Sequence, residues 1–240
     1  MHRRKFIQSA LLAPAIFFEG LTQTGKTKIS GETDVINSGV GGNNTIDLLS
    51  RIDPDCLAHH PQLTILMAGT NDMNSKKYVP VNDYKKNLQQ IIDRIKKIKS
   101  KILLMNLLPV YEPYLLTRHD PAFYQPEGHS GRLAQMNKLI EQTAVEDKIS
   151  FLNLHHIFST VGNIGLDKTS LIKNEANSNI TDGLHPTPDG YRVIAVAIYD
   201  SIKHFHLPTK QIVCFGDSIT FGDGKDGGEN YPSYLKKLLS

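Results

Sequence analysis

Five short strand-like runs punctuate this chain, and none alternates between apolar and polar residues. They fall at 34–38, 64–68, 102–108, 149–154 and 212–215. A strand with one face in water alternates, whereas a strand covered on both faces does not. Between the runs lie segments with apolar residues at helical spacing. Ile46, Leu48, Leu49 and Ile52 form one such set, and Tyr84, Leu88, Ile91, Ile92, Ile95 and Ile98 another, with Asn82 or Asp83 as its cap. Leu133, Met136, Leu139 and Ile140 mark a third, and Tyr191, Ile194, Ala195, Ile198, Ile202 and Phe205 line a fourth behind Pro188. A closing helix is expected near 231–239. Buried runs alternating with helices predict an α/β fold, a parallel sheet of five strands covered on both faces. Two stretches, 109–130 and 155–181, show no periodicity and read as long loops, which in compact domains are often functional.

At 240 residues, with 40% hydrophobic and 21% charged residues, the chain has the make-up of one soluble domain with a full core. A formal charge of +3 implies no nucleic-acid partner. The basic residues Arg94, Lys96, Lys97, Lys99 and Lys101 interleave with isoleucines, as on the solvated face of an amphipathic helix. Residues 1–30 do not read as fold. Arg3-Arg4-Lys5 followed by an apolar stretch at 11–18 looks like a twin-arginine export signal and linker, too short to span a bilayer. The expected location is the periplasm or exterior of a bacterium, without stable membrane insertion. Cys56 and Cys214 give no disulfide framework, although a bond between them stays open in an exported protein. His59-His60, His155-His156 and the pair His204 and His206 lack a convincing set of further ligands, so no metal or other cofactor is expected.

The chemistry gathers where runs end in turns. The run at 212–215 breaks at Gly216 and delivers Asp217-Ser218 to the C-terminal end of a buried strand, where open α/β sheets place reactive groups. Serine needs a base, an orienting group and donors for the oxyanion that forms. His185 is the candidate base. Asp182, three residues earlier across a glycine turn, is the candidate that holds its Nδ1–H. Candidate oxyanion donors are the N–H groups of Gly39 and Ser218 and the side-chain amide of Asn71, which follows the run at 64–68. In a parallel sheet these turns share one edge. Within 109–130, the aromatic and polar residues Tyr111, Tyr114 and Arg118 are candidates for binding substrate. The turn Gly39-Val40-Gly41-Gly42 lacks the spacing of a dinucleotide fingerprint.

Gly216-Asp217-Ser218, Gly39 within N-S-G-V-G-G-N, Gly69-Thr70-Asn71-Asp72 and Asp182-Gly183-Leu184-His185-Pro186 resemble the four sequence blocks of the SGNH, or GDSL-type, hydrolases. The resemblance spans 31–240. It implies a flavodoxin-like three-layer α/β/α sandwich, no metal, and hydrolysis of carboxylic esters through an acyl-serine. By the same resemblance Ser218 is nucleophile and oxyanion donor, Gly39 and Asn71 complete the hole, and Asp182 and His185 complete the triad. One departure is large. The serine block comes first in that family and last here, so the chain reads as a circular permutation in which 211–240 supplies the first strand. The site is then completed within a monomer or across a domain-swapped dimer. The expected substrates are small-molecule or carbohydrate esters with short acyl groups such as O-acetyl. The alternatives are a lysophospholipase-like or short-chain lipid esterase, and a glycan-binding module without turnover.

Overall fold

The computed structural model describes residues 33–240, so the export signal expected at 1–30 lies outside the described residues. The first half of the described chain runs β1 (Asp34–Gly39), α1 (Thr45–Asp55), β2 (Leu63–Met67), α2 (Val81–Lys97) and β3 (Lys101–Met105). Then come α3 (Glu112–Leu115), α4 (Gly128–Asp147), β4 (Ser150–Leu152), α5 (Leu154–Val161), α6 (Glu175–Ser178) and α7 (Pro188–His204). The chain closes with β5 (Gln211–Gly216), α8 (Ser218–Phe221) and α9 (Tyr231–Leu239). All strand pairings are parallel, in the order β1-β5-β2-β3-β4. The five-stranded parallel α/β fold agrees with the apolar runs. Every residue of β2 is buried, and so is every residue of β5 after Gln211, as strands covered on both faces require. One set of helices packs α1 on α2 and α2 on α4; another packs α7 on α9, with α9 against β1.

Local chemistry explains the helix starts. Asn44 caps α1 in a box with Asp47, each side chain accepting the other's backbone N–H. The Thr187 hydroxyl accepts the Gly190 N–H at 3.1 Å, and Pro188 fills the first helical position of α7. The expected cap of α2 is corrected: the helix opens at Val81 after Pro80, with no side-chain cap. Asp83 in its first turn and Arg94, Lys96 and Lys97 in its last instead complement the helix dipole.

The two stretches read as loops hold more structure than expected. The first contains α3, a 3₁₀ turn at Pro121–Tyr124 and the start of α4; the second contains most of α5 and all of α6. Cys56 and Cys214 are buried free thiols, which closes the disulfide option. No helix among the described residues is long and apolar enough to cross a membrane.

Gly39 ends β1 directly beneath α8. A Cβ there would sit 2.1 Å from the Phe221 nitrogen and 2.6 Å from its Cα, contacts with backbone that no side-chain rotation relieves. Gly39→Ala is therefore expected to lower stability by about 1–3 kcal/mol, the usual penalty of overpacking. Denaturant titration checks this, and a midpoint equal to the parent's would mean that α8 gives way freely.

Candidate functional site

Strand register brings the candidate turns to one edge. Gly39 of β1 and Met67 of β2 both lie opposite Gly216 of β5, so the three chains leave the sheet side by side. Ser218 opens α8 immediately beyond. Asp217 caps that short helix, its Oδ1 accepting the Ile219 N–H at 2.9 Å, and this fixes the serine half-buried between buried neighbours.

His185 Nε2 lies 3.0 Å from Ser218 Oγ, and His185 Nδ1 lies 2.8 Å from Asp182 Oδ2. Asp182 Oδ1 also accepts the Leu184 N–H at 2.8 Å and the His185 N–H at 2.7 Å. Burial works to raise the Asp182 carboxyl. The hydrogen bond and charge of His185 and the two backbone donors outweigh it and bring the pKa down to about 2. The carboxylate therefore stays ionised and holds the imidazole with Nε2 facing the serine. Such a line can pass the Ser218 proton to Nε2 and stabilise the imidazolium that results.

The turn carrying Asp182 and His185 is pinned from two sides. The Lys173 N–H donates to His185 O and the Gly183 N–H to Lys173 O, each at 2.9 Å. On the other side the Tyr111 N–H donates to Gly183 O at 2.8 Å. Gly183 has φ +72°, and a Cβ there would meet the Tyr111 carbonyl at 2.8 Å, so conformation and space both call for glycine. Arg118 spans the same turn, donating to Thr181 O at 2.7 Å and Asp182 O at 2.6 Å. That corrects its expected role, because its guanidinium is spent on backbone carbonyls rather than held out to a ligand. Tyr111 and Tyr114 stack edge to face at 5.0 Å, and the Tyr114 hydroxyl donates to Glu175 at 3.3 Å. Their Cβ atoms border the space beside Gly183, and nothing in their contacts marks a ligand.

Asn71 is half-buried, donating from Nδ2 to Asn43 O at 2.9 Å and accepting from Asn74 at 3.1 Å. Gly39 does not offer the donor expected of it. It is buried, and its N–H already donates to Asn37 Oδ1 at 3.0 Å. Further along the same turn, Gly41 and Gly42 are exposed, and their N–H groups have no acceptor among the described residues. The Ser218 N–H has none either.

Arg51, absent from the sequence candidates, joins these pieces. It donates to Ser38 O at 3.0 Å, Gly216 O at 2.8 Å and Asn43 Oδ1 at 2.6 Å, and it stacks 4.7 Å above the Phe215 ring. Nothing local distinguishes it in sequence from a surface helix arginine paired with Asp55 four residues on. Two buried acids, to which the sequence motifs containing them assign no role, lie at the same edge. Burial pushes Asp217 up to about 6, with the Ile219 donor and the His185 charge pulling less strongly downward. Burial likewise lifts Asp72 to about 6, against hydrogen bonds from the Thr45 hydroxyl and N–H. Among the described residues no cluster of His, Cys, Asp and Glu is placed to hold a metal ion.

The profile of the GDSL-like lipase/acylhydrolase family matches residues 18–193. The chain is 26% identical over 189 residues to the lipoprotein YqeF of Bacillus subtilis, covering 73% of this chain and 76% of that one. It is 23% identical over 179 residues to an acetylxylan esterase of Geobacillus stearothermophilus, covering 70% and 71%. Among solved structures, the acetyl xylan esterase AlAXEase shares the fold at a TM-score of 0.54 and 20% identity, over 68% of this chain and 78% of that one.

Asp217 gives the site a pH signature. Its folded value of about 6 stands above the ordinary 3.8, so the stability its neutral form contributes is complete below 3.8. It is lost as pH rises through about 6, and Asp72 has the same sign. Asp217→Asn, measured by chemical unfolding between about pH 4 and 6, should flatten part of that decline; a slope equal to the parent's would contradict the assignment.

Proposed function

The chain belongs to the GDSL-like lipase/acylhydrolase family and is a carboxylic ester hydrolase, and from that premise we propose that it removes short acyl groups, above all acetyl, from carbohydrate through an acyl-serine. The observation that carries the mechanism is the continuous line from Asp182 through His185 to Ser218, with contacts of 2.8 and 3.0 Å. Ser218 Oγ attacks the ester carbonyl while its proton passes to His185 Nε2. The tetrahedral adduct then breaks its bond to the alcohol, which leaves with that proton. Water, activated by the same imidazole, attacks the acyl-serine, releases the carboxylic acid and restores the hydroxyl. Asp182, ionised throughout, orients the ring and stabilises its charged form.

For the oxyanion we assign the Ser218 N–H, the Asn71 amide and the open N–H groups of Gly41 and Gly42, in place of Gly39. The short-acyl reading draws support from the relative named as an acetylxylan esterase, a name that specifies acetyl esters. The same relative supports the carbohydrate. The relative named as a lipoprotein supports an exported enzyme, the reading given to residues 1–30.

The permutation rests on three observations. Counted from β5, the sheet order β1-β5-β2-β3-β4 becomes 2-1-3-4-5, the flavodoxin-like order. The Thr33 hydroxyl reaches Leu239 O at 3.4 Å, so the start and end of the described chain adjoin. The family match stops at residue 193, ahead of the serine strand. A chain with 211–240 moved to lie between 30 and 31 should fold and hydrolyse the same esters; an inactive, misfolded product would overturn this reading.

The function is tested with p-nitrophenyl esters from acetyl to dodecanoyl. Turnover should be greatest at acetyl, fall at least ~10³-fold in Ser218→Ala and fall ~10²–10³-fold in Asn71→Ala. A preference for dodecanoyl would move the substrate to lipid. Equal rates in Ser218→Ala would remove the nucleophile.

A further inference from the structure

A cavity beside Asn71 is apolar along its sides, yet it gathers polar atoms that the protein leaves unpaired. Thr70 Oγ1, Tyr124 Oη and His129 Nδ1 are buried without a hydrogen-bond partner, and all three residues line this one cavity. Tyr124 is 1% exposed and His129 6%. Folding generally satisfies such groups, because each one left unpaired costs about 1–3 kcal/mol. Three around one small space are an arrangement awaiting a ligand atom.

Their surroundings define that atom. Tyr124 and His129 meet edge to face at 5.1 Å, and the Arg132 guanidinium lies 5.0 Å above the Tyr124 ring, so the phenol is held rigidly. His129 Nδ1 stands 3.4 Å from Glu112 Oε1 without the alignment of a hydrogen bond. Burial lowers the histidine's pKa more than Glu112 raises it, which keeps the ring neutral. The nearby charges are Arg132, its partner Glu127 at 3.2 Å and Glu112, so the carboxylates outnumber the cation. An anionic group is therefore disfavoured, and an ammonium could not accept from the tyrosine. A neutral hydroxyl can accept from one of these groups and donate to another, whichever tautomer His129 adopts.

We propose that the cavity formed by Thr70, Tyr124 and His129 beside Asn71 is a subsite that binds a neutral hydroxyl on the alcohol portion of the ester. The proposal rests on the acetylesterase reading, since an acetyl group has no hydroxyl and the alcohol must supply it. The cavity's volume of about 30 Å³ admits a hydroxyl or hydroxymethyl substituent but not a sugar ring. The subsite thus selects a polyhydroxylated leaving group over a hydrocarbon one.

Glycerol 1-monoacetate and n-propyl acetate share a carbon chain and differ in hydroxyls. The parent enzyme should favour the glycerol ester in kcat/KM, and Tyr124→Phe should reduce that ratio by about three- to tenfold, as loss of one neutral hydrogen bond predicts. The phenylalanine keeps the ring contacts and removes an unpaired hydroxyl, so its melting temperature should not drop. Ligand-observed NMR on Ser218→Ala reads the same preference without turnover, which separates failure of the subsite from failure of the esterase. Contact signals from glycerol monoacetate that vanish in Ser218→Ala/Tyr124→Phe support the subsite. A ratio unmoved by Tyr124→Phe, equal use of n-propyl acetate, a preference for an alcohol bearing a carboxylate, or a loss of stability with no change in ratio would each overturn it. The last result would assign the cavity to internal water.

Discussion

The site exists only while the last strand of the chain stays between the first and the second. β5 pairs with β1 along one side and β2 along the other, and its residues from Ile212 to Phe215 are fully buried. Parallel pairing leaves little room for slippage here, because a shift of one residue would turn each side chain to the opposite layer. The register that buries Phe215 is therefore the register that aligns Gly216 with Gly39 and Met67. Position of the serine is a consequence of core packing. Gly39 belongs to the same constraint: it is small because α8 passes over it.

Two arginines then hold the loops at that edge, and both do so through carbonyl oxygens. Carbonyls at strand ends have a second lone pair open, and a guanidinium with five donors in a rigid fork can satisfy several at once. Arg51 ties the ends of β1 and β5 to the Asn43 turn, and that turn in turn receives the Asn71 amide. Arg118 does the equivalent for the Asp182 turn from the segment after β3. The turn of Asp182 and His185 and the turn of Asn43 thus each have a cationic brace.

Much of this was legible in the residues. The strands were, because runs such as Ile65–Ala68 are continuously apolar; so was the meeting of Asp182, His185 and Ser218 at one sheet edge, because each follows a strand-like run. What failed to show was whatever depends on partners remote in sequence or on short local bonds. Gly39 was misjudged as an oxyanion donor because the acceptor that claims its N–H is a side chain two residues back, a local competition that glycine spacing does not report. Arg118 sits in a stretch whose composition suits a ligand site, and only the fold reveals Thr181 and Asp182 behind it. The helix at Leu154–Val161 spans only about two turns, too few for a repeating apolar pattern, and depends on the burial of Leu154 and Phe158.

The acids of the site show how one side chain serves opposite ends. Asp182 accepts two backbone N–H bonds and the imidazole, and its proton is held only at about pH 2. Asp217 accepts one N–H through Oδ1, its Oδ2 meets nothing, and its proton is retained to about pH 6. Both are drawn to the same histidine, since the His185 charge lowers each of them. Were Asp217 as well supplied with donors as Asp182, two carboxylates would compete for one imidazolium, and the ring's orientation toward Ser218 would lose its single anchor. The uneven distribution of hydrogen-bond donors settles that competition in favour of Asp182. The unpaired oxygen of Asp217 is thus the counterpart of the fully bonded Asp182, and together they leave Nε2 directed at the serine.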